Sequence, residues 1–208
     1  MPSVDFRLYL VTDRHQTAGR PLLSVVGRAV RAGVRAVQLR ERDLPTRELL
    51  SLAADLQREV PEANLFINDR VDLALALVSH GVHLRESSLP TPVVRGMLRP
   101  QQLLGRSVHS IDGVEAAECQ GADFVVLGPI YDTPSKQEYG PPLGLRVLEH
   151  AARTARIPIF AIGGITAARA REVRRAGGFG IAVLSSILSA SNVEQSTEEL
   201  MSAIELAR

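Results

Sequence analysis

Residues 36–69 read AVQLRERDLPTRELLSLAADLQREVPEANLFIND, and the alternation inside this stretch decides how the chain folds. Two short apolar, β-branched or aromatic runs, beginning at Ala36 and Asn64, flank TRELLSLAADLQREV, where apolar residues recur at helical spacing. Strands that are apolar almost throughout and are joined by helices belong to a parallel sheet covered on its outer face. Outward from here, similar runs begin at Arg7 (RLYLVTD), Gly81 (GVHLRE), Leu103 (LLGRSVHS), Asp123 (DFVVLGPI), Ile157 (IPIFAIGG) and Gly180 (GIAVLSSI). Helical stretches fall between them, among them PLLSVVGRAVRAG, LGLRVLEHAARTA, TAARAREVRRAGG and the closing NVEQSTEELMSAIELA. Several open on Pro, Thr, Asp or Asn and two end at Gly, the residues that start and stop helices. The stretch PTPVVRGML is short for a helix.

Eight such units in 208 residues predict an α/β fold, a single-domain (β/α)8 TIM barrel over residues 1–208, near the lower length limit of that class. An open doubly wound sheet is the alternative, but no G-x-G-x-x-G follows the first strand. A net charge of +1 gives no electrostatic reason to expect nucleic acid or an anionic membrane as partner. Aromatics at 4% with no Trp also remove the usual platforms for stacking single strands. The start, MPSVDFRLYLVTD, lacks the basic flank and apolar core of a signal peptide, and no run reaches the roughly 20 apolar residues of a membrane helix. The expectation is a cytoplasmic protein with no membrane partner. Cys119 is the single cysteine, so no intrachain disulfide forms, and an inert packing role on a helix is expected of it. Lys136 is the single lysine, set in a Thr/Pro/Ser loop; arginine-favouring codons explain the rest, yet that position asks why Arg did not suffice.

In a parallel barrel the active site forms at the C-terminal ends of the strands, and polar residues gather at those ends here. The runs close on Thr12-Asp13, Gln38-Leu39-Arg40-Glu41-Arg42, Asn68-Asp69, His83-Leu84-Arg85-Glu86, Ser107-Val108-His109, GPIYDTPSK, Gly163-Gly164 and Ser185-Ser186. The loop Thr133-Pro134-Ser135-Lys136 offers hydroxyls, backbone N–H groups and an ammonium, the parts of a phosphate cradle or of an ordinary surface turn. Gly163-Gly164 with Ser185-Ser186 suits phosphate at a helix N-terminus or, more plainly, a tight βα turn. Asn68 and Asp69 could orient a heterocycle or hold Mg²⁺, though Asp69 also suits a helix N-cap. His83 and His109 lie on strands, where a hydrogen-bonded core histidine is the first expectation and an acid–base group the alternative.

Seven segments in order, LYLVTD, AVQLRER, LFINDRVDLAL, GVHL, GRSVHS, GADFVVLGPIYDTPSK and IPIFAIGGIT, resemble the thiamine-phosphate synthase family, which also contains thiazole tautomerases. The resemblance covers nearly the whole chain. It implies a transferase that couples 4-amino-5-hydroxymethyl-2-methylpyrimidine diphosphate to a thiazole phosphate with release of pyrophosphate. It further implies Gln38, Arg40, Asn68 and Lys136 at the diphosphate, Arg42 among the substrate-binding residues, Ser107 near the pyrimidine, and Thr133 and Ser135 near the thiazole phosphate or the bridging site. Gly164, Ser185 and Ser186 would hold the thiazole phosphate, with Lys136, Arg40 and Ser107 as the catalytic set. Mg²⁺ would be the cofactor, bound by Asp69.

Two departures bear on that expectation. Arg42 stands where synthases carry Lys, and GVHLRESS places Ser88 where they carry a second Mg²⁺-binding Asp, leaving Glu86 or Ser88 to assist Asp69. Both departures resemble the tautomerase branch, an isomerase of thiazole phosphate carboxylate that needs neither diphosphate nor metal. Yet Pro129, as in synthases, follows the strand-six Gly where tautomerases have His. A non-catalytic barrel that binds thiazole or thiamine phosphate is the remaining alternative, and a homo-oligomer is left open.

Overall fold

A computed structural model describes residues 3–133 and 141–205. Eight strands run parallel and close on themselves: β1 (Leu8–Val11), β2 (Ala36–Leu39), β3 (Asn64–Asn68), β4 (Gly81–Leu84), β5 (Leu103–Val108), β6 (Phe124–Leu127), β7 (Ile159–Ile162) and β8 (Gly180–Val183). β1 pairs with β8 as well as with β2, so the sheet has no edge and the open-sheet alternative falls. The covering helices are α1 (Leu22–Arg31), α2 (Thr46–Glu59), α3 (Val71–Ala76), α4 (Thr91–Met97), α5 (Ile111–Cys119), α6 (Gly144–Thr154), α7 (Ala167–Arg175), α8 (Ser185–Leu188) and α9 (Val193–Glu205).

The elements form where local chemistry asks for them. Ser110 and Thr166 cap α5 and α7 through their side chains, accepting from the N–H groups of Gly113 and Arg169. The stretch containing PTPVVRGML does form a helix, with Pro at its N-terminal turn. Three expectations shift. The run from Gly180 divides at Leu184 into β8 and the short α8. His109 lies one residue beyond β5 and is exposed, so it is not a strand residue. Cys119 ends α5 exposed, not packed.

The scarce aromatics are concentrated inside the barrel. Of the five Phe in the chain, Phe6, Phe66, Phe124 and Phe160 join Tyr9 in one buried cluster. Their rings meet edge-on, tilted or stacked, with Phe66–Phe124 centroids at 5.5 Å and Phe6–Phe160 at 5.2 Å. Rings this large fit because the neighbouring strands give way. A Cβ on Gly105 would lie 2.4 Å from Phe124 and 2.6 Å from His83 Nδ1. The plug fills the lower barrel and leaves the upper mouth for polar side chains.

Candidate active site

Side chains alternate along a strand, so the residue two places beyond an inward-facing one also faces in, one layer higher. Gln38 follows Ala36 in this way, Asn68 follows Phe66, His83 follows Gly81 and Ser107 follows Gly105. Register then sets them side by side, Asn68 opposite His83 and His83 opposite Gly105. Gln38 and Asn68 are both buried, and the Gln38 amide donates to Asn68 Oδ1 at 3.1 Å. His83 is 1% exposed, with Nε2 3.0 Å from Ser107 Oγ and Nδ1 3.5 Å from the Tyr9 hydroxyl. Burial, and then the Arg40 charge, pull its pKa down to about 3, so the ring is neutral near pH 7. It orients Ser107 and is a core histidine, not an acid.

Beyond β2, Arg40 and, in the turn that follows, Arg42 line the mouth, while Glu41 between them is buried in the wall. Glu41 is buried and accepts from Thr12 Oγ1 at 2.7 Å and from the Arg14 backbone N–H at 3.1 Å. Thr12 Oγ1 in turn accepts from the Arg40 N–H at 2.9 Å. Glu41 thus staples the ends of β1 and β2, a role the sequence did not announce.

Arg40, Arg42 and Arg85 line one cavity of about 510 Å³ at the mouth. Its acids are already engaged. Asp43 pairs with Arg14 at 2.6 Å and His15 at 3.0 Å, which hold it well below the usual carboxylate range, and Asp13 accepts from the His15 N–H at 3.0 Å. The Arg40 and Arg42 guanidinium groups make no hydrogen bond or ion pair among the described residues. Burial, followed by the charge of Arg42, lowers the Arg40 pKa, and Arg85 adds to that pressure. Asp13, Glu41 and Asp43 also line this cavity but accept from other donors, which leaves the Arg40 and Arg42 guanidinium groups available to a phosphate or diphosphate.

Asp69 is the expected metal ligand, and its surroundings are specific. It adopts φ +64°, unusual for a non-glycine, and it does not cap α3, whose N-cap is Arg70. Arg85 covers its Oδ2 through Nη2 and through Nε at 3.1 Å, and the Ser88 hydroxyl donates to Oδ1. Ser88 Oγ accepts in turn from the Arg85 N–H at 2.8 Å. Glu86 is exposed, and its side chain makes no hydrogen bond or ion pair among the described residues. Mg²⁺ asks for open carboxylate oxygens in near-octahedral order. Here one carboxylate is occupied at both oxygens by donors, and no three of His, Cys, Asp or Glu gather among the described residues. This donor set does not fit a divalent ion.

A second group forms over β6 to β8. A Cβ on Gly128 would lie 2.3 Å from the Ile162 carbonyl, and one on Gly164 (φ +64°) 2.6 Å from the Asp132 carbonyl. Only glycine permits this packing of the β6 and β7 loops. Arg169 locks them, donating to the Gly164 carbonyl at 2.7 Å and lying over the Tyr131 ring at 4.5 Å. Ser186 Oγ donates to the Ile165 carbonyl at 2.6 Å, which ties Gly164 to the first turn of α8, where Ser185 is exposed. His109 Nδ1 meets the Gly128 carbonyl. Thr133 is half-buried beyond β6, whereas Ser135 and Lys136 lie outside the described residues. Sequence reading gave Arg85 no role; the two-residue step from His83 was the signal that could have found it.

Comparison with known proteins agrees with this layout. The thiamine monophosphate synthase family model matches residues 8–187. A protein from Geobacter sulfurreducens is 47% identical over 206 residues, covering 98% of this chain and 97% of its own. The thiamine-phosphate synthase of Roseiflexus sp. is 39% identical, covering 98% of this chain and 87% of that one. The structure of thiamine phosphate pyrophosphorylase from Pyrococcus furiosus superposes with a TM-score of 0.88 at 35% identity, covering 97% and 96% of the two chains. A 3-hexulose-6-phosphate synthase from Salmonella typhimurium, at TM-score 0.75, 13% identity and 97% and 100% coverage, shares the fold alone. With its family match spanning most of the barrel and both polar groups placed at the strand ends, this chain belongs to the thiamine monophosphate synthase family.

Proposed function

We propose that this chain is a thiamine-phosphate synthase, a transferase joining 4-amino-5-hydroxymethyl-2-methylpyrimidine diphosphate to a thiazole phosphate. The observation that carries this is the arginine cluster around one cavity, above the buried Gln38–Asn68 pair, in a chain of this family. The carbon–oxygen bond to the diphosphate breaks with its electron pair leaving on oxygen. The thiazole nitrogen then gives its lone pair to the pyrimidine-methyl cation, forming the carbon–nitrogen bond. The barrier is charge separation, which positioned cations and dipoles lower without a protein nucleophile. Arg40, Arg42 and the Gln38–Asn68 pair meet the diphosphate, with Lys136 as a further cation, and Ser107 faces the pyrimidine. Gly164, Ser185 and Ser186 hold the thiazole phosphate, with Thr133 and Ser135 between the two substrates. The Mg²⁺ that the resemblance implies would have Asp69 as ligand, with Glu86 or Ser88 beside it; Arg85 and Ser88 cover that carboxylate, so the leaving-group charge falls on protein cations. The partners are the two small phosphorylated substrates and no nucleic acid. Among the described residues no helix is long and apolar enough to cross a membrane, and we place the activity in the cytoplasm. Incubation with both substrates across a magnesium titration tests this: thiamine phosphate and pyrophosphate should form together, and their absence at every concentration defeats the proposal.

Two observations favour a second reading. The covered Asp69 and the Arg at position 42 suit a thiazole tautomerase, which handles neither diphosphate nor metal. Such an enzyme must move a proton at the thiazole. Pro129 follows Gly128 where that branch has His, and the buried His83 is neutral. An isomerisation assay on thiazole phosphate carboxylate separates the two.

A further inference from the structure

We infer that Arg85 takes over in this chain the place of a divalent cation, resting on Asp69 and presenting its remaining N–H groups to the diphosphate, which is thereby bound without metal. The ligand's identity rests on the synthase reading; the replacement itself rests on four observations. Asp69 reaches Arg85 from the end of β3 and holds it through two nitrogens, Nε at 3.1 Å and Nη2. A guanidinium carries five N–H donors in a planar fork, so two nitrogens on the carboxylate leave donors, those of Nη1 among them, for a second anion. Arg85 lines the same cavity as Arg40 and Arg42, where the acids are engaged by Thr12, Arg14 and His15. A diphosphate in that cavity therefore meets three guanidinium groups.

Ser88 completes the device. Its hydroxyl accepts from the Arg85 N–H at 2.8 Å and donates to Asp69 Oδ1, two tasks that an ionised carboxylate at this position cannot combine. Two facing carboxylates repel each other unless a cation sits between them. One carboxylate, one hydroxyl and one guanidinium form a closed set that needs no ion. The backbone fixes it as well, because the Asp69 N–H donates to the His83 carbonyl at 2.9 Å and holds Asp69 against β4. Arg85 and Ser88 thus act together, and changing one without the other leaves a donor or an acceptor unspent.

Calorimetric titration of the metal-stripped protein with inorganic pyrophosphate tests this without relying on turnover. In excess chelator the wild type should bind pyrophosphate, and replacing chelator with Mg²⁺ should shift its Kd by less than about threefold. Arg85→Gln should weaken binding in chelator by roughly tenfold or more, the size of one charge-assisted contact. Arg85→Gly combined with Ser88→Asp should bind pyrophosphate at least about tenfold tighter with Mg²⁺ than in chelator, circular dichroism verifying the fold. Wild-type binding that collapses in chelator and returns with Mg²⁺ overturns the inference, as does Arg85→Gln binding equal to wild type. The wild-type comparison needs no variant, so misfolding cannot mask the result. Metal-free pyrophosphate binding without coupling would leave this inference standing and remove the synthase function; coupling with a strict Mg²⁺ requirement would do the reverse.

Discussion

Ser107 Oγ lies 3.0 Å from Nε2 of His83, a buried imidazole whose pKa is pulled down to about 3. An unfolded histidine titrates near 6.5. Above that pH neither state carries the proton. As pH falls from about 6.5 toward 3, the unfolded chain binds it first, so this group's contribution to stability is lost on acidification. The slope from one such group is at most on the order of 1.4 kcal/mol per pH unit. His83→Gln removes this contribution, so urea unfolding between pH 6.5 and 4 should lose stability less steeply in the variant than in wild type. Parallel slopes would show that His83 is not buried and neutral.

Gly105 admits both His83 and Phe124, and a methyl there would meet each at well under 3.0 Å. Gly105→Ala should cost about 1–3 kcal/mol or more through overpacking, lowering Tm by several degrees. An unchanged thermal midpoint in scanning calorimetry would mean that the aromatic plug has slack.

Arg40 makes no side-chain bond among the described residues, so its removal should spare the fold and strike the ligand. Arg40→Ala should lower kcat/KM by about 10–100-fold, one charge-assisted contact to the diphosphate. Its Tm should hold nearly constant. Loss of Tm with kinetics retained would assign Arg40 to structure instead.

Lys136, which lies outside the described residues, tests the Thr133-Pro134-Ser135-Lys136 segment. If its ammonium meets the diphosphate, Lys136→Ala should cost about 10²-fold in turnover while the protein folds normally. Wild-type kinetics in the variant would remove that segment from the site.

His109 meets the Gly128 carbonyl at the strand ends and is exposed, which makes it the histidine a proton-transfer enzyme would use. Coupling makes no such demand. His109→Gln should therefore keep coupling within about tenfold of wild type. The wild type should not isomerise thiazole phosphate carboxylate above buffer; rapid isomerisation lost in the variant would promote the tautomerase.

Much of this was legible in the sequence, because it is local. The βα alternation, the covered parallel strands, the Gly-rich turn after β7 and the polar residues at the strand ends follow from short-range periodicity and residue chemistry. So did the family, read from seven short segments in order. What local pattern could not hold was decided by closure and register. Asn68 sits beside His83, and Arg85, just past β4, reaches Asp69, just past β3, only because parallel pairing brings those strand ends together. The same closure turns Glu41 into a staple to Thr12 rather than a ligand, and it gathers the few aromatics into one plug. Whether Asp69 faces a metal or a guanidinium depends on which side chain from the neighbouring strand reaches it first. Sequence names the two partners, but the distance between them is a property of the closed barrel.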